Sequence, residues 1–399
     1  MRKLRAAFAL ALALLTALAA GCVHEPENKN KYSEPVDFEG EPHSVSVFFV
    51  NAGKADSTVA VIDGHAWLVD AGTEESFVNI YSALEVLGVK MLDGVILSHG
   101  HEDHIGGLEP ILQKYPVAQV IVPELQLDSS GIDALISETG LDSRTVRAGD
   151  VVGVADGVSF EVLAPLALDK GDDNDNSLVV MLRVNGRRFL FTGDMQFNED
   201  GALTASGADI KCDVLKVPNH GNPDATSEDF AKAAAPLIAV ISTDTKVDKD
   251  SANRVVKGKL RGAEIILTEK HTLGVLVTVS KRGEITVEYP ERPAAQYPGL
   301  KITEASKAHQ SLVLTNEGAE QADLSGMFVW SSKGCETFVF PEGAALAPGA
   351  SVTVAAKKSD IASSADFIIG VKKIWADSKT DFAVLCDKYG NELSRLESK

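Results

Sequence analysis

The chain reads as a layered α/β domain followed by a small all-β sandwich, and three observations predict this. Strand-like and helix-like apolar patterns alternate from about residue 43 to residue 290, the arrangement expected of sheets covered by helices. After the proline-rich break Tyr289-Pro290-Glu291-Arg292-Pro293, short alternating runs separated by turn residues take over, as in a β-sandwich. Within the first of these regions lies a buried-strand pattern, Val95-Ile96-Leu97, that stops at Ser98-His99-Gly100-His101-Glu102-Asp103-His104. A length of 399 residues fits two or three domains, and 45% hydrophobic residues supply their cores. Four cysteines are too few for a disulfide scaffold.

The chain opens with a basic head, Met1-Arg2-Lys3-Leu4-Arg5, an Ala/Leu-rich body to Ala20, and Gly21-Cys22. A basic head, a short apolar body and small residues at its end make an export signal over 1–22. The body is too short for a comfortable membrane span. Leu18-Ala19-Ala20-Gly21-Cys22 resembles a bacterial lipobox, which implies lipidation of Cys22 and anchoring to the outer face of a membrane; ordinary cleavage and secretion is the alternative. Residues 23–42 have no apolar period and read as a flexible tether.

Ser44 to Val50 alternates as a strand, and 59–62 with 66–69 reads as a hairpin around Asp63-Gly64. Phe77 to Leu87 has helical spacing and stops at Gly88. Then come the strand before the histidines, a helix over 108–114 and a strand over 117–122. Further strands follow at 188–191, 213–217, 238–242, 264–267 and 275–279. A proline-rich linker is expected over 291–298, and the second domain over 299–399.

Three histidines and an aspartate within six residues, in a chain of nine histidines, place imidazole and carboxylate ligands in one loop. Such groups suit zinc, iron or manganese. A lone histidine there would be a polar loop residue. The pattern H-x-H-x-D-H and its flanks resemble the metallo-β-lactamase superfamily, and within it the hydrolase domain of ComEC/Rec2-type competence proteins. The resemblance covers about residues 44 to 290. It implies an αββα sandwich with the site at one sheet edge, holding two divalent metal ions, zinc or manganese, one of them weakly.

What the resemblance implies for single residues follows from the matching segments. His99 and His101 would hold one metal, and Asp103, His104 and His220 the other. Asp194, in Thr192-Gly193-Asp194, would bridge the two; His220 comes from Val217-Pro218-Asn219-His220-Gly221. Asp103 or Asp194 would take a proton from activated water. Asp70 would support a ligand from behind. Asn51-Ala52-Gly53-Lys54-Ala55-Asp56-Ser57 resembles the V-G-Q-G-D-S loop of that branch and brings in Asp56, with Lys54 and Ala55 departing from it. No histidine lies between His104 and His220, so the oxygen of Asn176 or a neighbouring Asp, or water, would replace a missing ligand. Asn219 would donate to substrate, Lys216 would brace a strand end or face a phosphate, and His271 would approach the rim.

In the second domain, 312–318, 323–326, 346–349 and 383–390 resemble pieces of a lamin-tail domain, a module that binds or scaffolds. It would meet a cell-surface or protein partner. Cys335 and Cys386 could pair in an oxidising compartment, and Cys212 reads as a core residue.

Net charge is −19, the wrong sign for long-range steering of nucleic acid. Bound cations would reverse that locally. The expected function is therefore an exported metal-dependent hydrolase of nucleic acid or another phosphodiester. Two alternatives stay open: an ester, lactone or lactam hydrolase, and a non-catalytic cell-surface binding protein with a degenerate metal site.

Overall fold

A computed structural model describes residue 32 and residues 34–127, 130–376 and 380–399. The expected export signal, Cys22 and half of the tether lie outside the described residues.

The first part of the chain builds two sheets. One has eight strands in the order β15-β14-β1-β2-β3-β4-β5-β6, namely Ile285–Glu288, Gly274–Val279, Val45–Val50, Ser57–Ile62, His65–Ala71, Gly94–Ile96, Val120–Pro123 and Ser143–Val146. The other has seven, β13-β12-β11-β10-β9-β8-β7: Glu264–Leu267, Ile238–Ile241, Val214–Lys216, Arg187–Phe191, Val179–Val184, Val158–Ala164 and Val151–Ala155. The hairpin β2–β3 turns through Asp63 and Gly64, both at positive φ. Rings from both sheets meet: Phe49 stacks on Phe191 at 6.1 Å, and Trp67 meets Phe160 edge-on at 6.1 Å.

Helices α1 (Phe77–Val86), α2 (Glu102–Ile105) and α3 (Leu108–Lys114) belong to the first sheet. Helices α5 (Phe197–Ala205), α6 (Glu228–Ala234) and α7 (Arg254–Lys259) belong to the second; α4 (Ser130–Thr139) precedes β6. Buried Phe230, Leu203 and Val256 pack with Leu190, Leu215 and Ala239 of the second sheet. This is the αββα sandwich expected. Strand β14 lies antiparallel on β1, so a segment near the end of this domain completes the sheet that its first strand begins.

Among the described residues, the last hundred form strands and turns with one short 3-10 helix, Ala362–Ser364. Leu300–Ser306, Ser311–Asn316, Ser351–Ala356 and Phe367–Ile369 make one four-stranded sheet. Thr337–Val339, Phe328–Ser331, Phe382–Cys386 and Glu392–Glu397 make another, and Trp375, Leu312, Val329 and Phe340 are buried in their shared core.

One expectation needs correction here. The segment from Glu34, read as tether, is held: Val36 N donates to the Arg282 carbonyl at 3.0 Å, and the buried Arg187 guanidinium donates to the Glu34 carbonyl at 2.9 Å. A buried guanidinium needs acceptors on every side, and passing backbone supplies one. The 291–298 stretch is likewise pinned, because Arg292 donates to Ser82 Oγ at 3.2 Å and to Asn79 Oδ1. Cys212, Cys335 and Cys386 are all free and buried. Cys386 sits opposite Phe328 in its strand pair, whereas Cys335 lies beyond that pair's last residues, in the turn after Ser331.

Candidate metal centre

Three loops and the end of β3 deliver the site. The strand β4 ends at Ile96 and releases Ser98 to His101, and α2 carries Asp103 and His104. Gly107 lets the α2–α3 turn press on the β3 end: a Cβ there would stand 2.2 Å from the Ala71 carbonyl oxygen. Asp194 follows β10, on a turn where a Cβ on Gly193 would meet both Ser98 and Ser177 at under 3.0 Å. Asn219, His220 and Gly221 follow β11 in three successive left-handed conformations, φ 44°, 51° and 71°. Asp70 is left-handed too, at φ 58°. Non-glycine residues held there cost about 1–3 kcal/mol each, a strain that tends to collect at functional sites.

The ligand-type atoms of Asp103, His104, Asp194 and His220 all lie within 4.8 Å of one another. His104 Nε2 and His220 Nε2 are each 3.3 Å from Asp194 Oδ2, and His220 Nε2 is 3.4 Å from Asp103 Oδ2. Asp56, Asp70 and His104 form an overlapping second group. His99 Nε2 lies 3.0 Å from Nδ1 of the exposed His101.

The far side of each ring sets which nitrogen faces the cluster. His220 Nδ1 is 2.9 Å from the Ser242 carbonyl oxygen, which can only accept, so Nδ1 carries the proton. His104 Nδ1 is 2.9 Å from Asp70 Oδ2, and Asp70 also accepts from Ser98 N at 2.7 Å and Ser98 Oγ at 2.9 Å. Both Nε2 atoms are thus turned towards carboxylates, buried and without an aligned hydrogen bond, as is Asp194 Oδ1. Lone pairs facing carboxylate oxygens at 3.3 Å repel unless a proton or a cation lies between them. The donor set therefore fits a divalent cation.

The electrostatics agree. Burial pulls the imidazoles down, but Asp194 and Asp70 raise His104 well above its ordinary value, and Asp194 and Asp56 raise His220 to about 9. Burial pushes Asp194 up, yet His220 and His104 hold it well below the carboxylate range. His99 is lowered well below its usual value by burial and by His104. Its Nδ1 is 3.1 Å from Ser98 Oγ and 3.3 Å from Ser177 Oγ.

Several expected residues do something else. Asn176 turns into its own loop: Oδ1 accepts from Asp169 N at 2.8 Å, and Nδ2 donates to the Asp169 carbonyl and Asp173 Oδ1 at 3.0 and 2.9 Å. Both amide ends are thus engaged within that loop and not at the cluster; its neighbour Ser177 faces the site instead and also accepts from Asp194 N at 3.0 Å. Lys216 takes the first of its two expected roles: it is buried at the strand end, its ammonium on Asp56 and on the Gly193 carbonyl at 2.9 Å, out of reach of a phosphate in solvent. Asn219 Nδ2 holds Asp224 Oδ1 at 3.1 Å rather than facing a substrate. The His271 ring stacks on Tyr289 at 3.7 Å, and only its carbonyl serves the site's surroundings, accepting from Asn51. Missing from the sequence reading were Ser98, Ser177, the Ser242 carbonyl and the 2.8 Å pair between Lys54 and Asp103. Ser98 and Ser177 stand beside motif residues, which was the available signal.

With fold and geometry in place, the class is clear: residues 50–245 match the metallo-beta-lactamase superfamily, and residues 293–399 match the lamin tail domain. The first domain is a metallo-β-lactamase-fold hydrolase domain with a His/Asp cluster of the kind that binds divalent metals in that superfamily. Among particular proteins, the chain is 30% identical to ComE operon protein 3 of Bacillus subtilis over 212 residues, 52% of this chain and 26% of that one. It is 27% identical to Recombination protein 2 of Haemophilus influenzae, over 49% of this chain and 24% of that one. It is also 27% identical to Competence protein ComA of Neisseria gonorrhoeae, over 60% and 33%. The chain spans a quarter to a third of the length of these curated relatives.

Proposed function

We propose that this protein is an exported, metal-dependent hydrolase of phosphodiesters, with nucleic acid the leading substrate class. The observation that carries the proposal is the pair of Nε2 atoms from His104 and His220, oriented from behind and both 3.3 Å from one Asp194 oxygen, with an Asp103 oxygen 3.4 Å from His220 Nε2. Asp103, His104, Asp194 and His220 would hold one cation; His99 and His101 would complete a second position with Asp194 between them. Zinc or manganese bound there would neutralise phosphoryl charge and bring the pKa of water within reach of neutrality. Asp70 and the Ser242 carbonyl keep the two imidazoles in the ligating tautomer, and Asp103 or Asp194 would hold the proton released. Likeness to proteins named for recombination and competence favours a nucleic acid backbone over a lactam.

Among the described residues no helix is long and apolar enough to cross a membrane. Attachment would rest on a lipid at Cys22, tested by radiolabelled palmitate incorporation that Cys22→Ser abolishes. The function is tested by metal analysis together with a panel of single-stranded DNA, bis(p-nitrophenyl) phosphate and a chromogenic lactam, on wild type and His101→Ala. Cleavage of the two phosphodiesters, with loss in the variant, is expected. Cleavage of the lactam alone would overturn the reading, and tight metal binding without turnover of any substrate would favour a binding protein.

A further inference from the structure

Two lysines reach the metal-ligand cluster, and they differ in what they have left to give. The Lys216 side chain is 4% exposed and committed to Asp56 and the Gly193 carbonyl. The Lys54 side chain is 29% exposed, and its ammonium makes one hydrogen bond, to Asp103 Oδ2 at 2.8 Å. An ammonium has three donors, so two point elsewhere without a protein partner among the described residues.

The placement of Lys54 is built. Its loop is tied at one end where Asn51 donates to the His271 carbonyl at 3.0 Å. It is tied at the other where Asp56 N donates to the Asp103 carbonyl at 3.0 Å and the Asp56 carbonyl accepts from Gly72 N at 2.8 Å. The backbone of the lysine's loop and that of the ligand loop are thus directly joined. The same Asp103 oxygen is 3.4 Å from His220 Nε2, so Lys54 stands beside the cluster on the side that solvent reaches.

We propose that Lys54 is a specificity-determining residue whose free donors take the anionic, non-bridging oxygen of the scissile phosphodiester, so that the site selects a singly charged diester over a neutral ester. This rests on the phosphodiester reading above. Cations in the site would attract any anion, whereas a fixed ammonium at the mouth recognises one oxygen in one place, and a hydrogen bond to a charged partner is the stronger kind.

The test uses the metal-loaded full chain as wild type, Lys54→Met and Lys54→Arg. Equilibrium binding is measured for a phosphorothioate-linked dinucleotide and for its neutral methyl triester, beside the metal content of each protein. Steady-state kinetics are run on bis(p-nitrophenyl) phosphate and p-nitrophenyl acetate. Wild type should bind the charged dinucleotide about tenfold or more tighter than the triester. Lys54→Met should cut that preference several-fold, to what the cations alone give, with triester affinity and metal content unchanged, and its KM should rise for the phosphodiester alone. Lys54→Arg should restore most of the preference. A Lys54→Met protein that keeps the preference overturns the proposal. So does equal weakening of both ligands with loss of metal, which would make Lys54 a prop for Asp103. Wild type that turns over only the acetate is a different result, and it defeats the phosphodiester reading itself.

Discussion

The metal centre and the seam between the two domains are built from different material: one gathers buried carboxylates, imidazoles and a lysine, the other is mainly aromatic rings around a single Lys–Glu pair. At the centre, Asp56, Asp70, His104, Asp194, Lys216 and His220 are all buried within one small volume, and two of the residues sit in left-handed backbone. At the seam, Phe77 and Tyr81 of α1 meet Phe328 edge-on at 5.8 and 5.2 Å, and Phe77 meets Trp330 at 5.4 Å. The Lys114 ammonium lies 4.5 Å from the Tyr81 ring centre and pairs with Glu85 at 3.3 Å. The Ser82 hydroxyl donates to the Tyr389 carbonyl at 2.5 Å. The contrast teaches that the aromatic seam supplies cohesion next to elements whose loops hold mutually repelling groups, so the tail is part of the hydrolase domain's packing and not a pendant module.

The largest effects that would break this contrast lie in the centre. His220→Ala should lower phosphodiester turnover by about a thousandfold or more, with metal content falling in parallel. Asp70→Asn touches no substrate but frees the His104 ring, and should weaken metal binding by about 10–100-fold in a competition titration with a chelator. Retention of full affinity in that variant would show that His104 does not depend on its partner.

The seam should respond in stability instead. Phe328→Ala removes a buried ring from both domains' packing and should cost about 3–5 kcal/mol, read as a lower midpoint in denaturant, with turnover per folded molecule nearly kept. Turnover that falls as steeply as stability would mean that the seam also shapes the centre.

The smallest effect concerns carboxylates near the seam. Burial, then Glu75 and Glu109, raise Glu74 to about 7, and burial, then Glu74 and Asp381, raise Glu336 to about 7. A carboxylate whose folded pKa is raised binds a proton more tightly in the folded state. Its stabilising protonation is full below the unfolded value near 4.5 and is lost as pH rises to about 7. Both side chains are partly exposed, so the effect is modest. Glu74→Gln should therefore raise the melting temperature by about 2 °C at pH 8 and leave it unchanged at pH 4. Equal shifts at both pH values would remove charge as the cause.

Much of this was legible beforehand, for identifiable reasons. Strand and helix periods fall on the observed elements because burial on one face leaves a period in the chain: the helix read over 77–87 is Phe77–Val86, and the strand 264–267 is Glu264–Leu267. The loop histidines stood out because three imidazoles and a carboxylate fall within six residues of a chain that has nine histidines. Partners chosen by hydrogen bonding were not legible. Nothing in the spelling of Asn176-Ser177 says that the amide folds back and the hydroxyl faces forward. Likewise, the apolar face of α1 shows that something covers it, but not that Phe328 and Trp330, some 250 residues on, do so.

The seam has a practical corollary for anyone dissecting the protein. Cutting the chain after Glu288 would keep every strand of the first two sheets, yet would strip the cover from Phe77 and Tyr81 and leave a sticky aromatic patch in water. The excised enzyme domain would then need a replacement surface, engineered or borrowed, to stay soluble as a single molecule.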